Sequence, residues 1–185
     1  STAFLSDPGP AAGTNFKYNR DSFFHIPGPT YGFVDAWGIY DTGLDNLGAD
    51  RMAIKPDTES RGRILARHRQ QLPGDWQFTG EFGLISDRNF LEQYFEKEWD
   101  QHKDQNTGIE LKRYADTMSY SLTSDVRLND FFTQTEWLPR LDHYWLGQDV
   151  FNVLTYTAHT NVGYAKLQTA DGPEDPIDAA KFSPL

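Results

Sequence analysis

The chain has no cysteine. That removes disulfides, thiolate zinc sites and cysteine nucleophiles in one step and leaves the redox compartment undetermined. No apolar run approaches the roughly 18 residues of a membrane-crossing helix, so spanning by helices is excluded and spanning by strands is not. Basic residues are in deficit: 17 Lys and Arg stand against 27 Asp and Glu, a net charge of -10. Nucleic acid is therefore excluded as a general partner, since counterion displacement needs a basic surface. The five histidines, His25, His68, His102, His143 and His159, show neither HxH nor HxxxH spacing, so no local zinc signature exists. Glycine-rich nucleotide loops and the G-x-S-x-G nucleophile elbow are missing too. The chain opens on Ser1 without a charged n-region and an apolar run, and reads as mature or fragmentary, so the missing signal peptide says nothing about export.

What remains is aromatic and alternating. Phe, Trp and Tyr make up 15% of 185 residues, while the mean hydropathy is only -0.66. Big rings on a polar background suit a membrane barrel with aromatic girdles or a soluble carbohydrate-binding β-domain. In Trp76–Leu84, Trp76, Phe78, Phe82 and Leu84 oppose Gln77, Thr79 and Glu81. Further on, Ile109 and Leu111 oppose Glu110 and Lys112, and Met118, Tyr120, Leu122, Val126 and Leu128 oppose Ser119, Ser121, Thr123, Asp125 and Arg127. Period two means strands with one apolar and one polar face. A protein core and a bilayer would write nearly the same pattern.

Turn chemistry divides the chain. Residues 1–30 carry Pro8-Gly9-Pro10 and Pro27-Gly28-Pro29 and are expected to be an extended arm or loop. Residues 31–169 are expected to be antiparallel hairpins, and residues 170–185 a polar linker or tail. Tyr31–Tyr40 suits a strand, followed by the loop Asp41–Asp50, whose acids and glycines fit the EF-hand pattern poorly and fit Asx turns well. Ser60–Leu72 and Trp76–Ile85 read as one hairpin about Pro73-Gly74-Asp75, and Thr107–Ala115 and Met118–Leu128 as another about Asp116-Thr117. Between them, Phe90, Leu91, Tyr94, Phe95 and Trp99 form a helical stripe within Arg88–Lys103, with Ser86 or Asp87 available as N-cap. In Phe131–Trp145, Pro139 implies an edge, a bulge or two short strands. Gly147-Gln148-Asp149 is expected to turn the chain into Val153–Gln168.

Chemistry is sparse. On Ser60–Leu72, Arg61, Arg63, Arg67 and Arg69 share one face. They read either as a solvated row paired across to residues such as Glu81 or as a track for phosphates. Glu136 and Asp142 flank Trp137 as a glycosidase pair would, but nothing in the sequence brings them together. No catalytic residue, metal or cofactor is assigned.

The segments Asp87-Arg88-Asn89-Phe90-Leu91-Glu92-Gln93-Tyr94, Trp137-Leu138-Pro139-Arg140-Leu141-Asp142 and Asp41–Gly48 give the chain a resemblance. Over about Tyr31 to Leu167 it resembles the barrel region of the LptD family, also called OstA or organic solvent tolerance proteins, in their planctomycete-like forms. The resemblance implies an all-β fold: antiparallel up-and-down hairpins forming a segment of a large transmembrane β-barrel, with one short helix or loop excursion. It further implies location in the cell outer membrane and non-catalytic translocation of lipopolysaccharide or a related glycolipid into the outer leaflet. Its partners there are a plug lipoprotein of the LptE type and the periplasmic Lpt bridge. The family's cross-linking cysteines and its periplasmic domain are not in this sequence. Under this expectation Trp76, Phe78, Phe82, Leu84, Met118, Tyr120 and Leu122 face lipid. Arg61, Arg63, Arg67, Arg69, Lys112 and Arg127 face the lumen and meet lipid phosphates. The alternative is a soluble β-sandwich that binds sugars, its apolar strand faces packed on each other.

Overall fold

Alternation is realised as a single meander. The computed structural model describes residues 2–3, 9–100 and 105–182. The long strands are β2 (Ala11–Phe23), β3 (Ile26–Tyr40), β6 (Ser60–Leu72), β7 (Trp76–Ile85), β8 (Thr107–Ala115), β9 (Met118–Val126), β10 (Gln134–Val150) and β11 (Leu154–Gln168). With the short β1 (Thr2–Ala3), they form one antiparallel sheet in the order β1-β2-β3-β6-β7-β8-β9-β10-β11. A two-stranded ribbon, β4 (Asp45–Asn46) with β5 (Met52–Ile54), stands apart from it. All-β, antiparallel and up-and-down is thus the fold class.

Both expected hairpins form. β6 and β7 pair from Leu72↔Trp76 to Arg63↔Ile85, and the loop between them uses positive φ at Gly74 (78°) and Asp75 (64°). β8 and β9 pair from Ala115↔Met118, with Asp116 at φ 49°. β9 stops at Val126, two residues before the expected Leu128.

Other expectations are corrected. Residues 1–30 are not an arm from Ala11 onward, because β2 pairs with β3 and the non-glycine turn Phe24-His25 (φ 47° and 64°) does the work that Pro27-Gly28-Pro29 advertised. Gly147 does not turn the chain: its positive φ sits where the β10–β11 register shifts, a bulge, and the ladder runs on to Val150↔Leu154 around Phe151-Asn152. Pro139 sits in a second bulge, between Trp137 and Arg140, where its missing donor breaks no ladder bond; β10 is interior to the sheet, not an edge. The helical stripe becomes α1 (Phe90–Tyr94) and α2 (Glu96–Trp99). Residues 101–104 of that expected segment lie outside the described residues. Neither Ser86 nor Asp87 is the N-cap: Asn89 holds that position without a capping side-chain bond, and the Asp87 carboxylate, besides meeting Arg61, accepts from Asn89 N at 3.1 Å. The tail is not free either, because α3 (Pro176–Ala179), capped by Asp175, sends Asp178 to Arg51 at 2.8 Å.

Up-and-down order sorts the connections. The turns at 24–25, 73–75, 116–117 and 151–153 lie at one end of the sheet. The long segments 41–59, 86–100 and 127–133 lie at the other, where the ribbon and helices gather. There Ile85, Phe90 and Leu91 make a small buried cluster with Trp37, Tyr94 and Phe95 against it. β8 pairs with β7 only as far as Glu81↔Gly108, so the end of β7 needs other partners. Asn129 supplies them: its Oδ1 accepts from Ile85 N at 2.9 Å and its Nδ2 donates to Gly83 O at 3.1 Å. Asn129→Ala therefore strands the buried Ile85 N and leaves Gly83 O with only the 3.4 Å bond from Thr107 Oγ1, and is expected to cost about 1–3 kcal/mol. Equilibrium unfolding measures this, with early amide exchange at Ile85 as the local sign.

Candidate functional site

Register fixes the two faces. Ile39↔Arg61, Trp37↔Arg63, Arg67↔Glu81, Thr79↔Glu110, Lys112↔Ser121 and Ser121↔Asp142 lie on one side. Val34↔Ala66, Ile64↔Leu84, Phe78↔Leu111, Leu111↔Leu122 and Leu122↔Leu141 lie on the other. The polar side is the buried one. Among the described residues only six apolar side chains are buried, against sixteen polar or charged ones, Arg61, Arg63, Thr79, Ser119, Ser121 and Asp142 among them. On the apolar side Val34, Ile64, Phe82, Leu84, Leu122, Leu141 and Val162 are exposed. No second sheet packs there among the described residues.

The centre of the polar side is Arg61, whose side chain is wholly buried. Its Nε and Nη2 donate to the Asp87 carboxylate at 2.9 and 2.8 Å, and its Nη1 and Nη2 to that of Asp45 at 2.5 and 3.0 Å. Asp41 lies 3.9 Å away and accepts from the Tyr94 hydroxyl, while the Tyr94 ring sits 5.2 Å from the guanidinium. Burial pushes the Asp45 carboxyl up from its ordinary value, opposed by the Arg61 bonds. Burial, with the bond to Asp41, holds the Tyr94 hydroxyl well above the usual tyrosine range. Asp41 also makes the expected Asx turn with Gly43 N at 2.8 Å, and no cluster of metal-ligating residues occurs among the described residues.

Next along the strand, Arg63 joins Asp35 at 2.9 Å and Glu98 at 2.5 Å, under the Phe95 ring at 3.6 Å. Arg67 pairs with Glu81, and Lys112 with Glu110 at 2.9 Å. Arg69 bonds the Tyr31 hydroxyl at 2.8 Å and alone of the row has no carboxylate partner among the described residues. Three of the four arginines are thus paired with carboxylates, and Arg69 alone is left for an anion from outside. Arg127 is elsewhere, bracing the carbonyls of Asp130, Phe132 and Thr169 at the loop end. Each of the seven expected lipid-facing residues lies on the apolar side, with Phe82, Leu84, Tyr120 and Leu122 exposed and Trp76, Phe78 and Met118 half-buried.

The two acids Glu136 and Asp142 have separate partners. Glu136 accepts from Arg127 N at 2.9 Å and Gln168 at 2.7 Å, and Asp142 holds Arg140 at 2.8 Å and His159 at 2.7 Å. Ser121, Asp142 and His159 sit on successive strands, but Asp142 stands in the middle. The serine is then two strands, about 9–10 Å, from the imidazole that would activate it.

No known protein family, curated protein or solved structure matches the chain. The site is therefore read from its own geometry. Sequence reasoning found the arginines and missed their partners Asp35, Asp45 and Asp87. The signal was present as a surplus of acid around a single basic strand.

Arg61→Met leaves Asp45 and Asp87 buried without their cation and is expected to cost about 3–5 kcal/mol. Arg61→Met combined with Asp45→Asn and Asp87→Asn is expected to recover much of that loss. Unfolding midpoints of the three proteins test it, and a triple variant no better than the single would dismiss the charge argument.

Proposed function

We propose that this chain forms part of the wall of an outer-membrane β-barrel that carries lipopolysaccharide or a related glycolipid to the outer leaflet without changing any bond. One observation carries the membrane part: the sheet is inverted, with ion pairs and hydroxyls inside and exposed aliphatic side chains outside. In water that arrangement leaves a large apolar face unpaid, whereas a bilayer is its natural solvent. Strands of 9 to 17 residues suffice for tilted crossings, which need about 9–11. Short turns at one end and long segments at the other match a barrel whose turns lie in the periplasm and whose loops lie outside. The glycolipid, the LptE-type lipoprotein and the Lpt bridge are supported by the resemblance of the Asp87–Tyr94 and Trp137–Asp142 segments.

In this arrangement Tyr31, Phe33 and Arg69, beyond the loop-end cap, face the lumen where a glycolipid would pass. A photo-crosslinker at Phe33 is expected to capture glycolipid, and one at Val34, its neighbour on the other face, phospholipid.

The solvent of the apolar face is tested by Leu122→Arg. In a bilayer the substitution is expected to destabilise the folded protein by about 2–4 kcal/mol. Folding titrations in lipid vesicles give the number. A neutral effect, with monomeric protein in detergent-free buffer, would sink the membrane proposal, since an exposed leucine in water tolerates arginine.

A further inference from the structure

Two charges of opposite sign on the polar side have no counter-ion. Arg69 Nη1 meets the Tyr31 hydroxyl, and its Nε is buried without a partner among the described residues. Asp125, half-buried on β9, has neither a hydrogen bond nor an ion pair among them. Both line one cavity of about 210 Å³, together with Thr79, Glu81, Glu110 and Thr123. Thr79 is only 8% exposed, and its hydroxyl too has no partner among the described residues. Glu81 and Glu110 are already taken, by Arg67 and Lys112.

Gly108 opens the space. Thr79↔Glu110↔Thr123 and Glu81↔Gly108↔Asp125 are neighbouring rows on the polar side, and the second has no side chain in its middle. A Cβ there would lie 2.2 Å from Asp125 Oδ1, so the carboxylate leans over β8 in its place. Arg69 and Thr79 are cross-strand partners at the other end of the cavity. Three strand spacings, about 14 Å, separate the backbones of Arg69 and Asp125, which leaves the two side chains a few Å for a small molecule between them.

Charge selects that molecule. Buried hydroxyls are hydrogen-bonded as a rule, and that of Thr79 can bond only to something that enters the cavity. A bare anion on Arg69 would stand among three carboxylates, and a bare cation on Asp125 would leave the guanidinium unmatched. A ligand with one group of each sign matches both ends. The fork of Arg69 and the Thr79 hydroxyl put several donors side by side, which suits the oxygens of a phosphoryl group, while a carboxylate takes an ammonium. No aromatic ring lines the cavity among the described residues, so a sugar finds no stacking platform. The volume falls below the roughly 300–1,000 Å³ of sites for drug-sized ligands, so a headgroup fits and an acyl chain does not.

We infer that this cavity binds a phosphoethanolamine-type zwitterion, with the phosphate on Arg69 and Thr79 and the ammonium on Asp125. The inference rests on the membrane proposal for its place on the lumen side, and it gives that lumen a ligand of stated charge. The free compound and the same group carried on a lipid share this chemistry.

The test is calorimetric titration of the full chain folded in nonionic detergent micelles. O-phosphoethanolamine is expected to bind about tenfold more tightly than inorganic phosphate or ethanolamine, and glucose not to bind. Arg69→Gln and Asp125→Asn are each expected to weaken it about tenfold and Thr79→Val about threefold, with unfolding midpoints close to the parent's. Glycerophosphoethanolamine separates the sources: binding tighter than the monoester's names a lipid headgroup, weaker binding a free or terminal group. Equal binding of inorganic phosphate, unmoved by Asp125→Asn, would overturn the zwitterion in favour of a plain anion site, and glucose binding as tightly would overturn it in favour of a sugar. No binding of any probe by chain that folds in micelles would remove the site and leave the membrane wall intact. Binding by chain that is monomeric in detergent-free buffer would keep the site and overturn the wall.

Discussion

A guanidinium with no access to water dictates much of this structure. Arg61 is tolerable where it lies only because two carboxylates meet its fork directly and a third stands close by. Desolvating such a group costs several kcal/mol, which good geometry offsets and nothing else does. The three acids come from different places: Asp41 and Asp45 from the segment after β3, Asp87 from the end of β7. Satisfying one arginine therefore folds two long connections onto the sheet. Arg63 does the same for α2 through Glu98, and Arg51 ties α1 to α3 through Glu92 and Asp178. The cap at the loop end is assembled by charge and then sealed by Phe90, Leu91 and Ile85.

That order of causes inverts the usual one. In a water-soluble domain apolar burial drives collapse and polar groups are accommodated afterwards. Here the buried apolar cluster is small and local, and the long polar face beyond the cap is held by hydroxyls and by pairs such as Arg67–Glu81 and Asp142–His159. An apolar face of this breadth left bare gains nothing from water. The proposed bilayer supplies the missing solvent.

How much of this was legible depended on how local each cause is. The β6–β7 and β8–β9 hairpins were readable because Pro73-Gly74-Asp75 and Asp116-Thr117 state their turns within a few residues, and alternation then sets the faces. β2 was lost because the proline–glycine pairs drew the turn to the wrong place, while Phe24-His25, with no glycine, took the positive φ. Gly147 misled for a related reason: a positive-φ glycine serves a bulge as well as a turn, and only the register of β11 decides. The arginine row was visible as a face, yet its pairing was not, because the acids that meet three of its members lie between 14 and 35 residues away. Helix in Arg88–Lys103 was legible from its stripe; its cap was not, since the helix starts one turn position later, with Asp87 bonding Asn89 N rather than the first helical turn.

The sheet edges bind fold and proposed function together. β11 spans 15 residues, with Leu154, Tyr156, Val162, Tyr164 and Leu167 exposed, and has β10 alone as a sheet partner. An edge so long and so weakly charged is a template for another strand. In water it invites aggregation; in hydrocarbon each unpaired N–H or C=O costs several kcal/mol, and only closure removes the cost. A wall in a membrane must therefore continue past β11 through an antiparallel partner of similar length, with apolar residues on the side of Val162 and polar ones on the side of Asn161. The same backbone constraint that permits strands to cross a bilayer forbids this arc from standing there alone.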